Sequence, residues 1–444
     1  MPETTSSSTS ADNAIDSSST PTETTLLTLI KSTTPPCWLN PLLFNGHLQT
    51  FYTALKSTDI PITYKRRTFS SNNALYPGTF AVDFVSHTPT SSSSSDPDPS
   101  LPSRTSYYSD EEFEKLGGED DEKPMLILLH GLSGGSHEIY LRHVLRPLCL
   151  DPKEGEEKWE ACVVNARGCS MSEITSGVLY NARSTWDVRQ IVEWIREKWP
   201  KRKLFGVGFS LGANILVNYI GEEGAKCELD AAVVVSNPWN LDVSNLSLQR
   251  SFMGKNIYSP AMGTSMRELF ETQTEEDNRH HEQIMKYNPD IDEAKVRSIK
   301  YLHEFDRYVQ CPTWGWPTEG AYYRDASSID AIYDIRIPVL AIHAEDDPIA
   351  CDAAAPYVEV QQNENVVLCS TTLGGHLSWF EIGGERWFSR VAEGFLRKMT
   401  TEVDLDALKN SRTSGTQEGS VLHAKKKPVY HGVAKKLQNP EPHS

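Results

Sequence analysis

A serine hydroxyl becomes a useful nucleophile only where a turn exposes it and a base takes its proton. One segment of this 444-residue chain offers such a turn, Gly208-Phe209-Ser210-Leu211-Gly212. It lies directly after the apolar run Leu204 to Phe209 and directly before a stretch of helical spacing. Strand, sharp turn and helix in that order push a hydroxyl out of the backbone, and the helix N-terminus favours the negative charge that develops on attack. A G-x-S-x-G alone arises by chance in long chains, so the flanking strand and helix give it its weight. The chemistry implied is attack of the Ser210 oxygen on a carbonyl carbon through a covalent acyl intermediate.

Such a serine needs a base, and the base needs a carboxylate to hold it. His376, in Gly374-Gly375-His376, follows the last apolar run, and its glycines leave room for an imidazole to reach back over the turn. Ala344-Glu345-Asp346-Asp347-Pro348-Ile349 follows the run Pro338 to His343 and carries the acid. Asp347 is favoured because it fills the last place of a G-x-x-D loop in which Ala344 stands for the glycine; Asp346 is the second candidate. The order Ser210, Asp347, His376 is that of the nucleophile-elbow fold. Two backbone N–H groups are expected to hold the oxyanion: Leu132, in His130-Gly131-Leu132-Ser133-Gly134, and Leu211 after the nucleophile. A purely structural H-G-x-x-G turn is the alternative. In Asn165-Ala166-Arg167-Gly168, Arg167 reads as structural, pairing with backbone or a carboxylate, and Asp187 as a solvated or capping carboxylate. Isolated histidines such as His303 and His423 receive no role.

These residues need a scaffold, and the chain between its tails alternates short apolar runs with amphipathic stretches, the pattern of a mostly parallel sheet with connecting helices. Strands are predicted at Met125 to Leu129, Ala161 to Asn165, Leu204 to Phe209, Ala231 to Ser236, Pro338 to His343 and Val366 to Thr371. Helices are predicted at Ser184 to Trp199 and from Leu211 to Ile220, where apolar side chains recur on one face. The fold class is therefore α/β, an α/β-hydrolase fold with a doubly wound sheet and a cap insertion, spanning residues 35–400. Residues 241–333 are polar and rich in aromatics, and are read as the cap over a substrate pocket. Residues 1–25 read as a disordered Ser/Thr-rich leader, 88–121 as a low-complexity surface insertion, and 401–444 as a disordered basic tail.

Composition narrows the partners. Asp and Glu number 60 against 43 Lys and Arg, a formal charge of −17, which disfavours phosphate backbones and so nucleic acid. The eight cysteines are scattered, with no CxxC pair and no grouping with histidine at metal-ligand spacing, and are read as reduced, buried thiols of an intracellular protein. Neither a metal nor a cofactor is expected. No apolar stretch approaches the ~18 residues of a membrane-spanning helix, and residues 1–30 resemble neither a secretory signal nor a transit peptide.

The motifs together resemble the YheT-like branch of the α/β hydrolases, which includes yeast medium-chain fatty acid ethyl ester synthase/esterases. The matching residues are Asn40-Pro-Leu-Leu-Phe-Asn-Gly-His-Leu-Gln-Thr50, His130-Gly-Leu-Ser-Gly-Gly135, Asn165-Ala-Arg-Gly168, Gly206-Val-Gly-Phe-Ser-Leu-Gly-Ala-Asn214, Ala344-Glu-Asp-Asp-Pro348 and Gly374-Gly-His376. The Asn-Gly-His-Leu-Gln-Thr segment is the most specific of these, since it marks this branch and not the fold at large. The resemblance covers about residues 35–398 and assigns Ser210, Asp347 and His376 as the triad. It implies hydrolysis of short- to medium-chain acyl esters, or of an acyl-CoA, with water or an alcohol as acceptor. It also leaves room for a peripheral contact with a lipid droplet or an organelle membrane. The H-x-x-x-x-D acyltransferase motif of several relatives is absent from all thirteen histidines, so alcohol transfer would rest on the triad alone. The rival readings are a lipase or phospholipase, a serine peptidase, and a catalytically idle hydrolase-like binding protein.

Overall fold

Runs of branched apolar residues form strands where both faces of the sheet are covered, and here they build its centre. The computed structural model describes residues 25–56, 59–87, 98–271 and 279–413. Its nine strands are β1 (Thr63–Ser70), β2 (Thr79–Ser86), β3 (Thr105–Tyr107), β4 (Met125–Leu129), β5 (Glu160–Val164), β6 (Leu204–Phe209), β7 (Ala231–Val235), β8 (Val339–Ala344) and β9 (Val366–Thr371). They lie in the order β3-β1-β2-β5-β4-β6-β7-β8-β9. β2 runs antiparallel to both β1 and β5, and every other pair is parallel. The six predicted strands are all present, to within one residue at either end.

Successive side chains of each central strand point to opposite faces, so the sheet divides the core in two. In β4, Leu126 and Leu128 pack with Phe205, Val207 and Val233 beneath the helix Trp387–Thr401. Met125, Ile127 and Leu129 face the other way, onto the helices Thr185–Lys198 and Leu211–Glu223. Parallel strands with helices on both faces place their C-terminal ends at one edge, where loops are free to carry chemistry. Between β7 and β8 the described residues form helices and no strand, including Leu241–Arg250, Ser259–Glu271 and Glu319–Ala326. A separate apolar cluster, with Met266, Phe270, Ile284, Phe305 and Val309, joins these helices to Tyr180 and to Leu132 and Leu211.

Several expectations are corrected. The expected surface insertion over residues 88–121 is in part structured: Thr105–Tyr107 forms the edge strand and Asp110–Glu114 a short helix closed by a capping box from Ser109 and Glu112. The tail expected from Thr401 begins instead with the helix Leu405–Thr413, whose Leu405 and Arg412 are buried. Residues 1–24 of the leader, residues 88–97 of the insertion and the lysines from Lys425 onward lie outside the described residues. The cysteines are all free, but Cys37 is exposed and Cys351 and Cys369 are half-buried, leaving five buried. No helix among the described residues is long and apolar enough to cross a membrane.

Candidate active site

Ser210 sits between β6 and the helix Leu211–Glu223 with φ 51° and ψ −118°, a left-handed conformation that a non-glycine residue adopts only under constraint. The flanking glycines are required by close approach. A Cβ on Gly212 would lie 2.4 Å from the carbonyl oxygens of Leu129 and His130, and one on Gly208 would lie 2.6 Å from the Ala213 Cα. Larger residues there would push β4 or the helix away from the turn.

The structure brings Ser210, His376 and Asp347 together. His376 Nε2 is 2.9 Å from Ser210 Oγ, and Nδ1 is 2.9 and 3.0 Å from the two Asp347 carboxylate oxygens. A carboxylate only accepts, so Nδ1 carries the proton and the Nε2 lone pair faces the hydroxyl. Asp347 Oδ1 also accepts the N–H groups of Ile349 and Ala350, which fixes the plane of a fully buried carboxylate. Asp346, the second candidate, faces elsewhere and accepts the Gly375 N–H at 2.9 Å. Burial raises its pKa, and that hydrogen bond opposes the rise.

The loop after β4 is held against Ser210: a Cβ on Gly131 would come 3.4 Å from the Ser210 Cβ. Its backbone donors are nearly all engaged. Gly131 N–H donates to the Tyr140 hydroxyl, Ser133 N–H to the Tyr180 hydroxyl and Gly134 N–H to the Gly131 carbonyl. Leu132 N–H, the one expected to face an oxyanion, has no acceptor among the described residues. Leu211 is the first residue of its helix, where an N–H lacks an intrahelical acceptor. His130 orients the Leu132 peptide: its Nε2 accepts the Ala166 N–H, so Nδ1 donates to the Gly131 carbonyl at 2.6 Å. Complete burial lowers the His130 pKa to about 4, although its bond to Gly131 raises it, and the ring is neutral at physiological pH.

Beneath this loop lies a buried polar network that sequence spacing could not reveal. Arg66 of β1 forms a two-pronged ion pair with Asp83 of β2, and Asp83 Oδ2 also accepts from the Ser136 hydroxyl and the Asn165 amide. The expectation for Arg167 matches its contacts, which are Asp187 at 2.8 and 2.9 Å and the carbonyls of Tyr76 and Pro77. Asp187 is corrected: it is buried, because the first turn of its helix faces Arg167 and not water. His303 stacks on Tyr301 in the helical insertion after β7, and His423 lies outside the described residues.

Nucleophile elbow, sheet order and helical insertion after β7 define a class, and residues 124–381 match the family described as alpha/beta hydrolase fold. The chain belongs to that family. It is 36% identical over 389 residues to a monoacylglycerol lipase of Saccharomyces cerevisiae, covering 83% of this chain and 82% of that one. It is 30% identical over 394 residues to medium-chain fatty acid ethyl ester synthase/esterase 2 of the same organism, covering 81% and 85%. It is also 28% identical over 260 residues to a human phospholipase, covering 58% and 59%.

Proposed function

We propose that this protein is a serine hydrolase that cleaves lipid-like acyl esters through an acyl-enzyme on Ser210. The observation that carries the reading is the aligned relay from Ser210 through His376 to the buried Asp347. As Oγ attacks the ester carbonyl, His376 Nε2 takes its proton, and the Leu132 and Leu211 N–H groups receive the developing oxyanion. His376 then returns the proton to the departing alcohol. Water, activated the same way, releases the acid; an alcohol in its place yields a new ester.

The surroundings favour an apolar acyl group. The cavity under the loop after β4, between Leu129, Val164, Tyr180, Val188 and Ile215, is only about 30 Å³. That is room for a water or a methyl group, not for an octanoyl chain. The apolar surface nearest the two backbone donors is on the cap side, where Met266 and Phe270 belong to the cluster that packs on Leu132 and Leu211.

A glycerolipid is the second reading, supported by the 36% identity to a monoacylglycerol lipase. Both readings are tested with wild type and Ser210→Ala on p-nitrophenyl octanoate, octanoyl-CoA, 1-monooctanoylglycerol and a phosphatidylcholine, with and without ethanol. Turnover by wild type alone supports the serine mechanism, and the preferred substrate separates the readings. Ethyl octanoate formed in ethanol supports alcohol transfer. No turnover and no labelling of Ser210 by a fluorophosphonate would leave an idle hydrolase fold. Vesicle or lipid-droplet flotation tests the proposed peripheral contact.

A further inference from the structure

Asn45 to Thr53 lies more than 300 residues from His376 in sequence, yet it supplies much of what holds the histidine loop. The loop has little reason to keep its shape unaided. Gly375, Leu377 and Trp379 have φ of 63°, 54° and 44°, and the last two carry bulky side chains that disfavour the left-handed region. Four of its backbone N–H groups end on side chains from elsewhere. Gly375 donates to Asp346 Oδ1 at 2.9 Å, His376 to Thr50 Oγ1 at 2.9 Å, Leu377 to Ser236 Oγ at 3.1 Å and Phe380 to Gln49 Oε1 at 2.8 Å.

Two of those four acceptors belong to the helix Gly46–Leu55, and both are themselves oriented. Thr50 donates its proton to the Gly46 carbonyl at 2.6 Å, which turns its lone pairs toward His376 N–H. Gln49, fully buried, donates Nε2 to the Leu43 carbonyl, which turns its Oε1 toward Phe380. Thr53 and Ser378 join their hydroxyls at 2.9 Å. Contact is close enough to exclude side chains: a Cβ on Gly46 would lie 1.9 Å from the Asp346 carbonyl oxygen, and one on Gly375 would lie 2.6 Å from the Gly46 carbonyl oxygen. The segment therefore touches the acid loop and the base loop together.

We infer that Asn45–Thr53 is an outer clamp that sets the relative position of the Asp347 and His376 loops, with Thr50 a positioning residue acting through the His376 backbone. The inference rests on the reading of His376 as general base. Thr50 holds no substrate; it fixes the Cα–Cβ direction from which the imidazole spans Ser210 and Asp347. With Gly375 and Leu377 still anchored by Asp346 and Ser236, loss of the Thr50 hydroxyl loosens the ring's aim without unfolding the loop. Misplacement of a catalytic group by about 1 Å costs on the order of a hundredfold in rate.

The experiment compares full-length wild type, Thr50→Val and Thr50→Ser by three readouts: kcat and KM on p-nitrophenyl octanoate, melting temperature, and the far-downfield proton NMR signal of the His376 Nδ1–H bonded to Asp347. Thr50→Val is expected to lose roughly tenfold to a hundredfold in kcat at unchanged KM and melting temperature. Its downfield signal should broaden or shift, and Thr50→Ser should restore both rate and signal. A wild-type rate and signal in Thr50→Val overturn the inference, as does Thr50→Ser impaired as badly as Thr50→Val, which would assign the effect to the methyl group. If the wild type turns over no ester, the hydrolase reading falls, and the NMR signal still decides whether Thr50 holds the His376–Asp347 bond.

Discussion

Two regions outside the parallel strands reach the candidate site, and they touch it by different means. The helix Gly46–Leu55 meets the histidine loop through directional hydrogen bonds from Gln49, Thr50 and Thr53. The helical insertion after β7, read as the cap, meets Leu132 and Leu211 through apolar packing; its polar contacts sit behind them, where Gln310 Nε2 donates to the Tyr180 carbonyl at 2.9 Å, the Tyr322 hydroxyl accepts the Ala182 N–H at 2.9 Å and the Tyr180 hydroxyl donates to the Met266 sulfur at 3.2 Å. Hydrogen bonds fix angles and apolar contacts do not. Under the proposed hydrolase reading the difference becomes a proposed division of labour, with the N-terminal helix serving aim and the cap serving affinity. Substitutions in the first should change kcat, and those in the second KM and chain-length preference.

The largest effect separates the two adjacent aspartates. Asp347→Asn should lower kcat roughly 10⁴-fold, since an amide cannot hold the proton-bearing Nδ1 in the productive tautomer. Asp346→Asn keeps an oxygen for the Gly375 N–H and should cost no more than a few-fold in steady-state kinetics; the reverse ranking would exchange their roles. Next comes Gly46→Ala. Its methyl collides with the backbone of Asp346, so either the helix or the acid loop must shift. The expected result is about 1–3 kcal/mol lost in denaturant unfolding and a fall in kcat with KM nearly constant. A Gly46→Ala enzyme altered in KM alone would break the proposed division.

The two regions also differ in how far the sequence reveals them. Ser210, Asp347 and His376 were legible because the chemistry demands those residue types in a fixed order after recognisable strands. β4, β6 and β9 matched to the residue because their apolar runs are bounded by turns. β1 has no such signal: Thr-Tyr-Lys-Arg-Arg-Thr-Phe-Ser looks like solvated chain, and Arg66 is buried where Asp83 of β2 and the Ser170 carbonyl answer it. The burial of Asp187 is hidden for the same reason, its partner Arg167 lying 20 residues earlier on another element. Asn-Gly-His-Leu-Gln-Thr stood out as a signature, but a threonine hydroxyl accepting an N–H 326 residues away leaves no local pattern to read.

On the cap side the effects are smaller. Met266→Ala removes apolar surface from the cluster against Leu132 and Leu211. At about 0.8 kcal/mol per buried methylene, the ratio of kcat/KM for octanoyl over acetyl esters should fall several-fold to tenfold, with kcat on the acetyl ester little changed. A uniform loss on both esters would mean that Met266 acts through the Tyr180 anchor of the loop after β4, giving the cap a share in aim.

The smallest effect on turnover, and the one that tests the cap's own stability, concerns Asp306. Burial raises this carboxyl to about 7, against a partial offset from the Tyr323 hydroxyl that donates to its Oδ2 at 2.5 Å. An unfolded aspartic acid loses its proton near about 3.9. Between those limits the folded chain binds more protons than the unfolded one, so this group's contribution is complete below about pH 4 and is lost as pH rises through about 7. The loss is on the order of a few kcal/mol. Asp306→Asn holds a neutral side chain at every pH. Its unfolding free energy, followed in urea from pH 4 to 8, should lack this downward component and exceed that of the wild type at pH 8. A wild-type slope in the variant would mean that Asp306 is ionised throughout, and that Tyr323 stabilises its charge better than burial opposes it.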